Sequence, residues 1–302
     1  CGLKRIMDKE VVIFAANRGY ALTSSRKDLI RHFLSNGFEV VLATADDAES
    51  RELCSLGACL EKVDFNRGGF SPWADWAAYR SLISIYQKRK PDLIQHFHAK
   101  PVVLGSIAAR RVLGGSGRVI NVITGLGHAF VSSGFLSKLA GTGYSLSLSK
   151  ANMTVFQNRD DKSLFLEKGW VGVENSRLIP SSGVDTEKFT FVDHSLHDNA
   201  PVLVMLGRLL QQKGVPEFME LARRIRKYWP DSRFLWAGEE DPVHPDAVDA
   251  KWLQGQKDIE YLGRLSNVVS ILQQADLFLF PSSYREGVPR VILEAAATGL
   301  PL

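Results

Sequence analysis

Short runs of apolar and β-branched residues recur along the first half of the chain, and longer stretches with helical periodicity separate them. The runs predict strands over residues 11–15, 39–43, 92–97, 118–123 and 152–156. The stretches between them predict amphipathic helices, among them 24–35, 74–89 and 102–112. Continuous apolar strands that alternate with helices are typical of a parallel sheet covered on both faces. This half is therefore predicted to be a doubly wound α/β domain.

The same alternation starts again after a loop-like stretch at 180–185. Strands are predicted at 202–206, 233–237, 259–262 and 276–280, and helices at 215–228, 268–274 and 292–298. The sequence thus predicts two Rossmann-like domains, 1–183 and 184–302, that face a cleft, since open α/β sheets bind ligands beyond the carboxyl ends of their strands. Gly299 suits a helix C-cap, and Pro301-Leu302 resembles the first step of another strand. We therefore expect the second domain to be truncated.

Composition places the chain among ordinary globular proteins and excludes several other classes. It has 302 residues, of which 45% are hydrophobic and 23% charged, so disorder and coiled coil are not indicated. No apolar run approaches the roughly 18 residues that a membrane-spanning helix needs. The three cysteines form no Cys-x-x-Cys pair, so neither a disulfide framework nor a zinc site is predicted, and we expect a cytoplasmic protein.

Charge is unevenly divided between the two predicted domains. Residues 1–183 contain 24 Lys and Arg against 16 Asp and Glu, whereas residues 184–302 contain 13 against 17. A basic domain attracts nucleic acid, anionic lipid or phosphorylated ligands, and charge alone does not distinguish these partners.

The segment 281–294 has the pattern of a strand end, a turn and a helix. Pro289 suits the first turn of that helix, where the backbone N–H groups of Gly287, Val288 and Arg290 would form an anion site. Glu286 and Glu294 bracket this turn, and carboxylates accept hydrogen bonds from sugar hydroxyls. The alternative to such a site is a pair of surface glutamates on an ordinary helix. The Gly-x-Pro between the two glutamates argues against that alternative.

A second cluster, 207–214, directly follows the predicted strand 202–206. Arg208 and Lys213 could neutralise a diphosphate there, and Gly207 permits a close backbone approach. The spacing matches neither a P-loop nor a Gly-x-Gly-x-x-Gly motif. Together the two clusters predict a nucleotide-sugar pocket.

These clusters, a Gly-Arg…Lys-Gly and a Glu-x7-Glu element, resemble glycosyltransferase family 4 of the GT-B fold. Further motifs are similar to the branch that extends lipid-linked bacterial surface oligosaccharides, and they lie at 96–101, 121–127, 156–161, 183–185, 238–241 with Pro245, and 283–289. The resemblance implies that Arg208 and Lys213 hold the donor diphosphate and that Glu294 binds the ribose. It implies that Glu286, with the backbone of Gly287, Val288 and Pro289, holds the donor sugar.

The resemblance also implies an activity. The protein would be a retaining hexosyltransferase that moves a sugar from a nucleotide-sugar donor, with UDP favoured, to a polyprenyl-diphosphate-linked saccharide in surface polysaccharide synthesis, such as O-antigen or capsule. It would need no metal and no cofactor, bind no nucleic acid, and work at the inner face of the plasma membrane. Phe130, Phe135, Leu136 and Leu139 beside Lys138 could enter the membrane interface, or could equally be buried helix residues.

Some positions depart from the family pattern or leave alternatives open. His128 lies a few residues after the position of the family's catalytic histidine. His96 and His98 are expected as cleft residues, although a structural role or a metal site would use the same pair. The acidic residues 239–241 are interpreted as a loop. A nucleotide-sugar epimerase of the same architecture and an inactive nucleotide-binding fragment remain the alternative functions.

Overall fold

The chain divides into two compact units, Cys1–Ser182 and Gly183–Leu302, one residue before the boundary expected from the sequence. The computed structural model describes residues 9–66, 71–125, 135–148, 151–194, 200–284 and 286–302. At 135–140 it describes the backbone only. Each unit is an α/β layer structure built on a parallel sheet. The predicted α/β fold class, with a Rossmann-like unit in each half, is confirmed.

The strands described in the first unit form one parallel sheet in the order β3-β2-β1-β4-β5-β6-β7. Their bounds are β1 Val11–Ala15, β2 Glu39–Thr44, β3 Cys59–Lys62, β4 Leu93–Phe97, β5 Arg118–Ile123, β6 Met153–Phe156 and β7 Ser176–Leu178. The helices between them are α1 Gly19–Ser35, α2 Ala48–Ser55, α3 Pro72–Arg89, α4 Ala99–Leu113, α5 Phe135–Leu148 and α6 Arg159–Glu167. The order reverses between β1 and β4, as in a dinucleotide-binding sheet.

The second unit repeats this plan on a smaller scale. Its described strands are ordered β10-β9-β8-β11. The bounds are β8 Val202–Leu206, β9 Arg233–Ala237, β10 Glu260–Tyr261 and β11 Leu277–Phe278, with helices α7 Val215–Ile225, α8 Ala250–Gln254, α9 Val269–Gln274 and α10 Arg290–Ala297. The carbonyl of Pro301 accepts a hydrogen bond from the Phe278 N–H at 2.8 Å.

Both sheets are buried on both faces, which is why strands such as β1 and β8 read as unbroken apolar runs. In β1, Val12 and Phe14 pack into one apolar cluster, while Ile13 packs into the cluster on the opposite face. In β8, Leu203 and Val204 divide in the same way. Successive side chains of a strand point to opposite faces, so a strand in a doubly covered sheet can be apolar at consecutive positions.

The strands that the sequence pattern missed lie at the edges of the first sheet. β3 (Cys59–Lys62) pairs only with β2, and its residues are exposed or half-buried. β7 (Ser176–Leu178) is three residues long and pairs with β6. An edge strand is less enclosed than a central one, so it needs no continuous apolar run and gives little signal in the sequence. None of the described helices is long and apolar enough to cross a bilayer.

Candidate functional site

The two predicted clusters meet at the point where strand order reverses in the second sheet. β8 and β11 are parallel neighbours, with Leu203 opposite Leu277. Gly207 directly follows β8, and residues 281–284 and Glu286 follow β11. Because parallel strands end at the same edge, both segments lie at the carboxyl edge of the sheet, where α/β proteins bind ligands.

Arg208 is held by a carboxylate that is distant in sequence. Its Nη1 donates a hydrogen bond to Oδ2 of Asp241 at 2.7 Å, and Asp241 is buried. The guanidinium also lies 5.6 Å from the centroid of the Tyr284 ring. Burial acts to lower the pKa of Arg208, but Asp241 and Tyr284 outweigh it and raise that pKa above its usual value. Arg208 is therefore a permanently charged, positioned cation.

Lys213 is the second cation of the cluster, and it is buried. It ends a 3₁₀ turn, Gln211–Lys213, that closes on Gly214 with φ 91°. Its Nζ forms an ion pair with Oε1 of Glu286 and lies 5.1 Å from the Tyr284 ring centroid. Burial lowers the pKa of Lys213, and the charge of Glu286 opposes that shift. The carboxylate of Glu286 therefore favours the charged form of this amine.

Glycines allow the backbone segments around these cations to approach one another. A side chain at Gly238 would clash with the carbonyl of Gly207, and one at Gly214 would lie 2.5 Å from the carbonyl of Pro281. The carbonyl of Gly207 accepts from the Trp236 indole at 3.0 Å, and its N–H donates to Ala237 at 2.9 Å. The close approach of these segments thus depends on Gly238, since a side chain at Gly207 itself would lie 3.3 Å from Met205 Cε, and a role for Gly207 beside a ligand stays a prediction.

The second glutamate of the predicted pair forms a separate group. Glu294, on α10, forms an ion pair with Nε of Arg290 at 3.0 Å and is mostly buried. Burial raises the pKa of Glu294, and the charges of Arg290 and Lys188 oppose the shift. α10 begins at Arg290 with Pro289 as its N-cap residue, so the placement of Pro289 inside the first turn is wrong by one residue. Gly287 and Val288 lie in the turn just before it.

Two residues of this cluster carried no functional prediction. Asp241 was interpreted only as part of an acidic loop, yet it is the partner of Arg208. Tyr284 lies inside the recognised motif, and its ring faces Arg208, Lys213 and, at 6.0 Å between centroids, His244. Both residues are far from Arg208 in the sequence, so a local sequence pattern could not predict these contacts.

The expectation that His96 lines a cleft is wrong. His96 is fully buried in the first unit, with Nε2 2.9 Å from the Tyr86 hydroxyl and Nδ1 2.8 Å from Oδ1 of Asn121. A side chain at Gly105 would clash with its ring. Burial lowers the pKa of His96 to about 4, so it is a neutral core residue. His128 and Phe130 lie outside the described residues, as do the side chains of Phe135, Leu136, Lys138 and Leu139.

Comparison with known families divides the chain in the same two halves. The family described as "Glycosyl transferase 4-like" matches residues 11–158, and the family described as "Glycosyl transferases group 1" matches residues 200–302. The second match contains Arg208, Lys213 and both glutamates of the Glu-x7-Glu element.

Two bacterial enzymes are similar in sequence. The N,N'-diacetylbacillosaminyl-diphospho-undecaprenol alpha-1,3-N-acetylgalactosaminyltransferase of Campylobacter jejuni is 25% identical over 95% of this chain and 78% of its own length. The UDP-Gal:alpha-D-GlcNAc-diphosphoundecaprenol alpha-1,3-galactosyltransferase of Escherichia coli is 32% identical over 74% of this chain and 60% of its own length. The chain thus spans between about three fifths and four fifths of these relatives.

Solved structures share the fold at low sequence identity. Anabaena HepE in complex with UDP and glucose aligns with a TM-score of 0.69 at 18% identity, over 97% of this chain and 79% of HepE. A Listeria monocytogenes protein assigned to the UDP-N-acetylglucosamine 2-epimerases aligns with a TM-score of 0.59 at 15% identity, over 97% and 78% of the two chains. The predicted GT-B fold is confirmed. The fold by itself does not distinguish a glycosyltransferase from a nucleotide-sugar epimerase.

Proposed function

Since its two halves match glycosyltransferase families and it is similar to bacterial glycosyltransferases, the chain is a glycosyltransferase of the GT-B fold, and we propose a specific reaction for it. It transfers a hexose, with retention of configuration, from a UDP-sugar to a saccharide linked to polyprenyl diphosphate, in the synthesis of a bacterial surface polysaccharide such as O-antigen or capsule. The observation that carries the proposal is the pair of cations, Arg208 and Lys213, beside two carboxylates at the carboxyl edge of the second sheet.

The cation pair suits a diphosphate leaving group. Arg208 presents a planar guanidinium that can bind phosphate oxygens through two hydrogen bonds, while Lys213 acts as a point charge. Negative charge on the diphosphate grows as the glycosidic bond breaks, so the two cations stabilise the transition state more than the bound donor. The departing diphosphate then helps to take the acceptor's proton, and neither a protein nucleophile nor a metal ion is required.

Glu286 changes partner as the donor binds. In the free protein it neutralises Lys213. A diphosphate offers Lys213 a competing anion, which releases Glu286 to accept hydrogen bonds from hydroxyls of the donor sugar. The backbone of Gly287, Val288 and Pro289 completes that side of the pocket, and Glu294 binds the ribose.

The acceptor places the enzyme at a membrane. Two relatives carry an undecaprenyl-diphosphate saccharide in their names, and residues 1–183 have an excess of basic side chains. A basic surface is attracted to the anionic lipids of the cytosolic leaflet by about 1 kcal/mol for each well-placed Lys or Arg. The protein would therefore work as a peripheral enzyme at the inner face of the plasma membrane, with a nucleotide sugar and a lipid-linked saccharide as its partners.

One experiment tests this reaction against its alternatives. The protein is incubated with a panel of nucleotide sugars, with and without extracted lipid-diphosphate saccharides, in the presence of EDTA. A transferase releases nucleotide only when an acceptor is present. An epimerase converts the donor sugar without an acceptor, and a binding fragment does neither, so either of those results contradicts the proposal.

A further inference from the structure

The first half of α3 exposes two tryptophans and an arginine on one face. The exposed fractions of Trp73 and Trp76 are 84% and 56%, and Arg80 is exposed as well. Residues three and seven positions apart share one face of a helix. The Arg80 guanidinium lies 5.2 Å from the centroid of the Trp76 ring. We call these three residues the aromatic face.

Among the residues that the structure describes, the two indoles of the aromatic face belong to none of the buried apolar clusters. α3 packs on the sheet through Ala78, Leu82, Ile85 and Tyr86, which are buried. Tryptophan is highly buried on average, and contiguous exposed apolar patches mark interaction sites. These buried residues do not include the two indoles, so the exposed rings form a surface that a binding partner could cover.

An ion pair locates the aromatic face within the first unit. Nζ of Lys100, at the start of α4, lies 2.6 Å from Oδ1 of Asp75, and both side chains are mostly buried. α4 begins two residues after β4 ends at Phe97. The N-terminal turns of α3 and α4 therefore lie together at the carboxyl edge of the first sheet. This is the edge at which a doubly wound sheet receives its ligand.

We propose that the aromatic face docks the protein on the surface of an anionic lipid bilayer. The indole rings of Trp73 and Trp76 enter the headgroup region, the depth that tryptophan prefers in membrane proteins. Arg80 remains with the phosphate groups, since a long cationic side chain can keep its charged end at the interface. This proposal rests on the proposed function in one respect, because docking by this edge brings the ligand-binding edge of the sheet close to a lipid-anchored acceptor.

Charge favours a bilayer over a second copy of the chain. The 24 basic against 16 acidic side chains of residues 1–183 are complementary to anionic headgroups. Two copies that met through their aromatic faces would bring two basic units together, and like charges across an interface oppose association.

Vesicle binding tests the proposal with the full chain. The variant Trp73→Ala/Trp76→Ala is compared with wild type and with a matched control, Trp252→Ala, which removes a half-exposed indole from α8 of the other unit. Vesicles of phosphatidylcholine and phosphatidylglycerol should sediment wild type and the control equally at low salt. The double variant should partition at least about tenfold more weakly. Brominated lipids should quench part of the tryptophan fluorescence of wild type, and that part should be lost in the double variant.

The proposal is overturned if wild type fails to bind these vesicles, or if the double variant binds as wild type does. It is also overturned if sedimentation shows a concentration-dependent dimer of wild type that the double variant lacks, while neither binds lipid. Activity separates this test from that of the reaction. The double variant should keep nucleotide release with a detergent-dispersed acceptor and lose it with the same acceptor in vesicles. Tryptophan-dependent vesicle binding without any transfer would reject the proposed reaction and retain the docking surface.

Discussion

Arg208 and Asp241 are 33 positions apart in the sequence, and their side chains form a hydrogen-bonded ion pair of 2.7 Å at the carboxyl edge of the second sheet. Asp241 is buried, and Arg208 is partly exposed. A buried carboxylate beside a more open guanidinium fixes the direction in which the cation points. Asp241 is therefore a positioning residue for the proposed diphosphate site.

Replacing Asp241 with asparagine tests that relationship. Asp241→Asn keeps the size of the side chain but removes the charge that holds Arg208, and a hydrogen bond to a charged group contributes about 1.5–3 kcal/mol. We expect kcat to fall by roughly tenfold to a hundredfold, with a smaller change in the donor KM, because the diphosphate gains its charge in the transition state. Steady-state kinetics with a fixed acceptor measures this split.

Asp258→Asn is the control for Asp241→Asn. Asp258 pairs with Arg223 at 2.7 Å in the same unit but belongs to a pair outside the proposed site. Equal kinetics for the two variants would show that the Arg208 pair has no part in the reaction.

The pair between Lys213 and Glu286 predicts a change in pH dependence. Burial already lowers the pKa of Lys213, and the carboxylate of Glu286 opposes that effect. In Glu286→Gln the pKa of Lys213 should fall further, so the amine loses its proton, and its attraction for a diphosphate, at a lower pH. We expect the alkaline decrease in UDP affinity to shift to lower pH, as measured by calorimetric titration at several pH values.

UDP lacks the donor hexose, so this measurement separates the charge effect from any contact between Glu286 and that hexose. Glu217→Gln, an acidic residue in the first turn of α7, serves as the control. If UDP affinity decreased at the same alkaline pH in Glu286→Gln and in wild type, Glu286 would not support the charge of Lys213.

The proposed ribose contact of Glu294 can be tested with a modified nucleotide. Glu294→Ala should weaken UDP binding by roughly tenfold to a hundredfold, since it removes charge-assisted hydrogen bonds to the ribose hydroxyls. Wild type should also bind 2′,3′-dideoxy-UDP more weakly than UDP, and the variant should bind the two alike. Competition binding measures both ratios, and a variant that still prefers UDP would assign ribose recognition to other residues.

The buried His96 predicts a loss of stability in mild acid. Its pKa in the folded protein is about 4, against 6.5 for an unperturbed histidine. Below pH 6.5 the unfolded chain therefore takes up a proton that the folded chain refuses, and stability falls as the pH decreases from 6.5 towards 4. Between pH 7 and pH 5 this group alone should reduce the free energy of unfolding by about 2 kcal/mol.

Denaturant unfolding of wild type and His96→Gln at both pH values checks this prediction. The variant should be less stable at pH 7, because Tyr86 and Asn121 lose a buried partner. Its stability should, however, change less between the two pH values. The same pH dependence in both proteins would contradict a neutral His96 in the folded core.

Much of the fold could be predicted from the sequence because the central strands are buried on both faces. Strands such as 11–15 and 202–206 are apolar along their whole length, and the structure has them at the predicted residues. The edge strands β3 and β7 and the short helix α2 were missed, because a partly solvated element carries a weaker apolar pattern. The helix of the Glu-x7-Glu segment was predicted, with Pro289 misplaced by one residue.

The sequence by itself determined that Arg208 and Lys213 follow one strand and that Glu286 follows a later one, since local periodicity identifies where each strand ends. The structure showed that these two strands are neighbours. Only the tertiary structure decided which charges pair: Asp241 with Arg208, Glu286 with Lys213, and Tyr284 facing both cations. It also decided that His96 lies in the core rather than in a cleft. Periodicity reports the burial of a segment against its own sheet, whereas these contacts depend on how loops from three different strands fold back on one another.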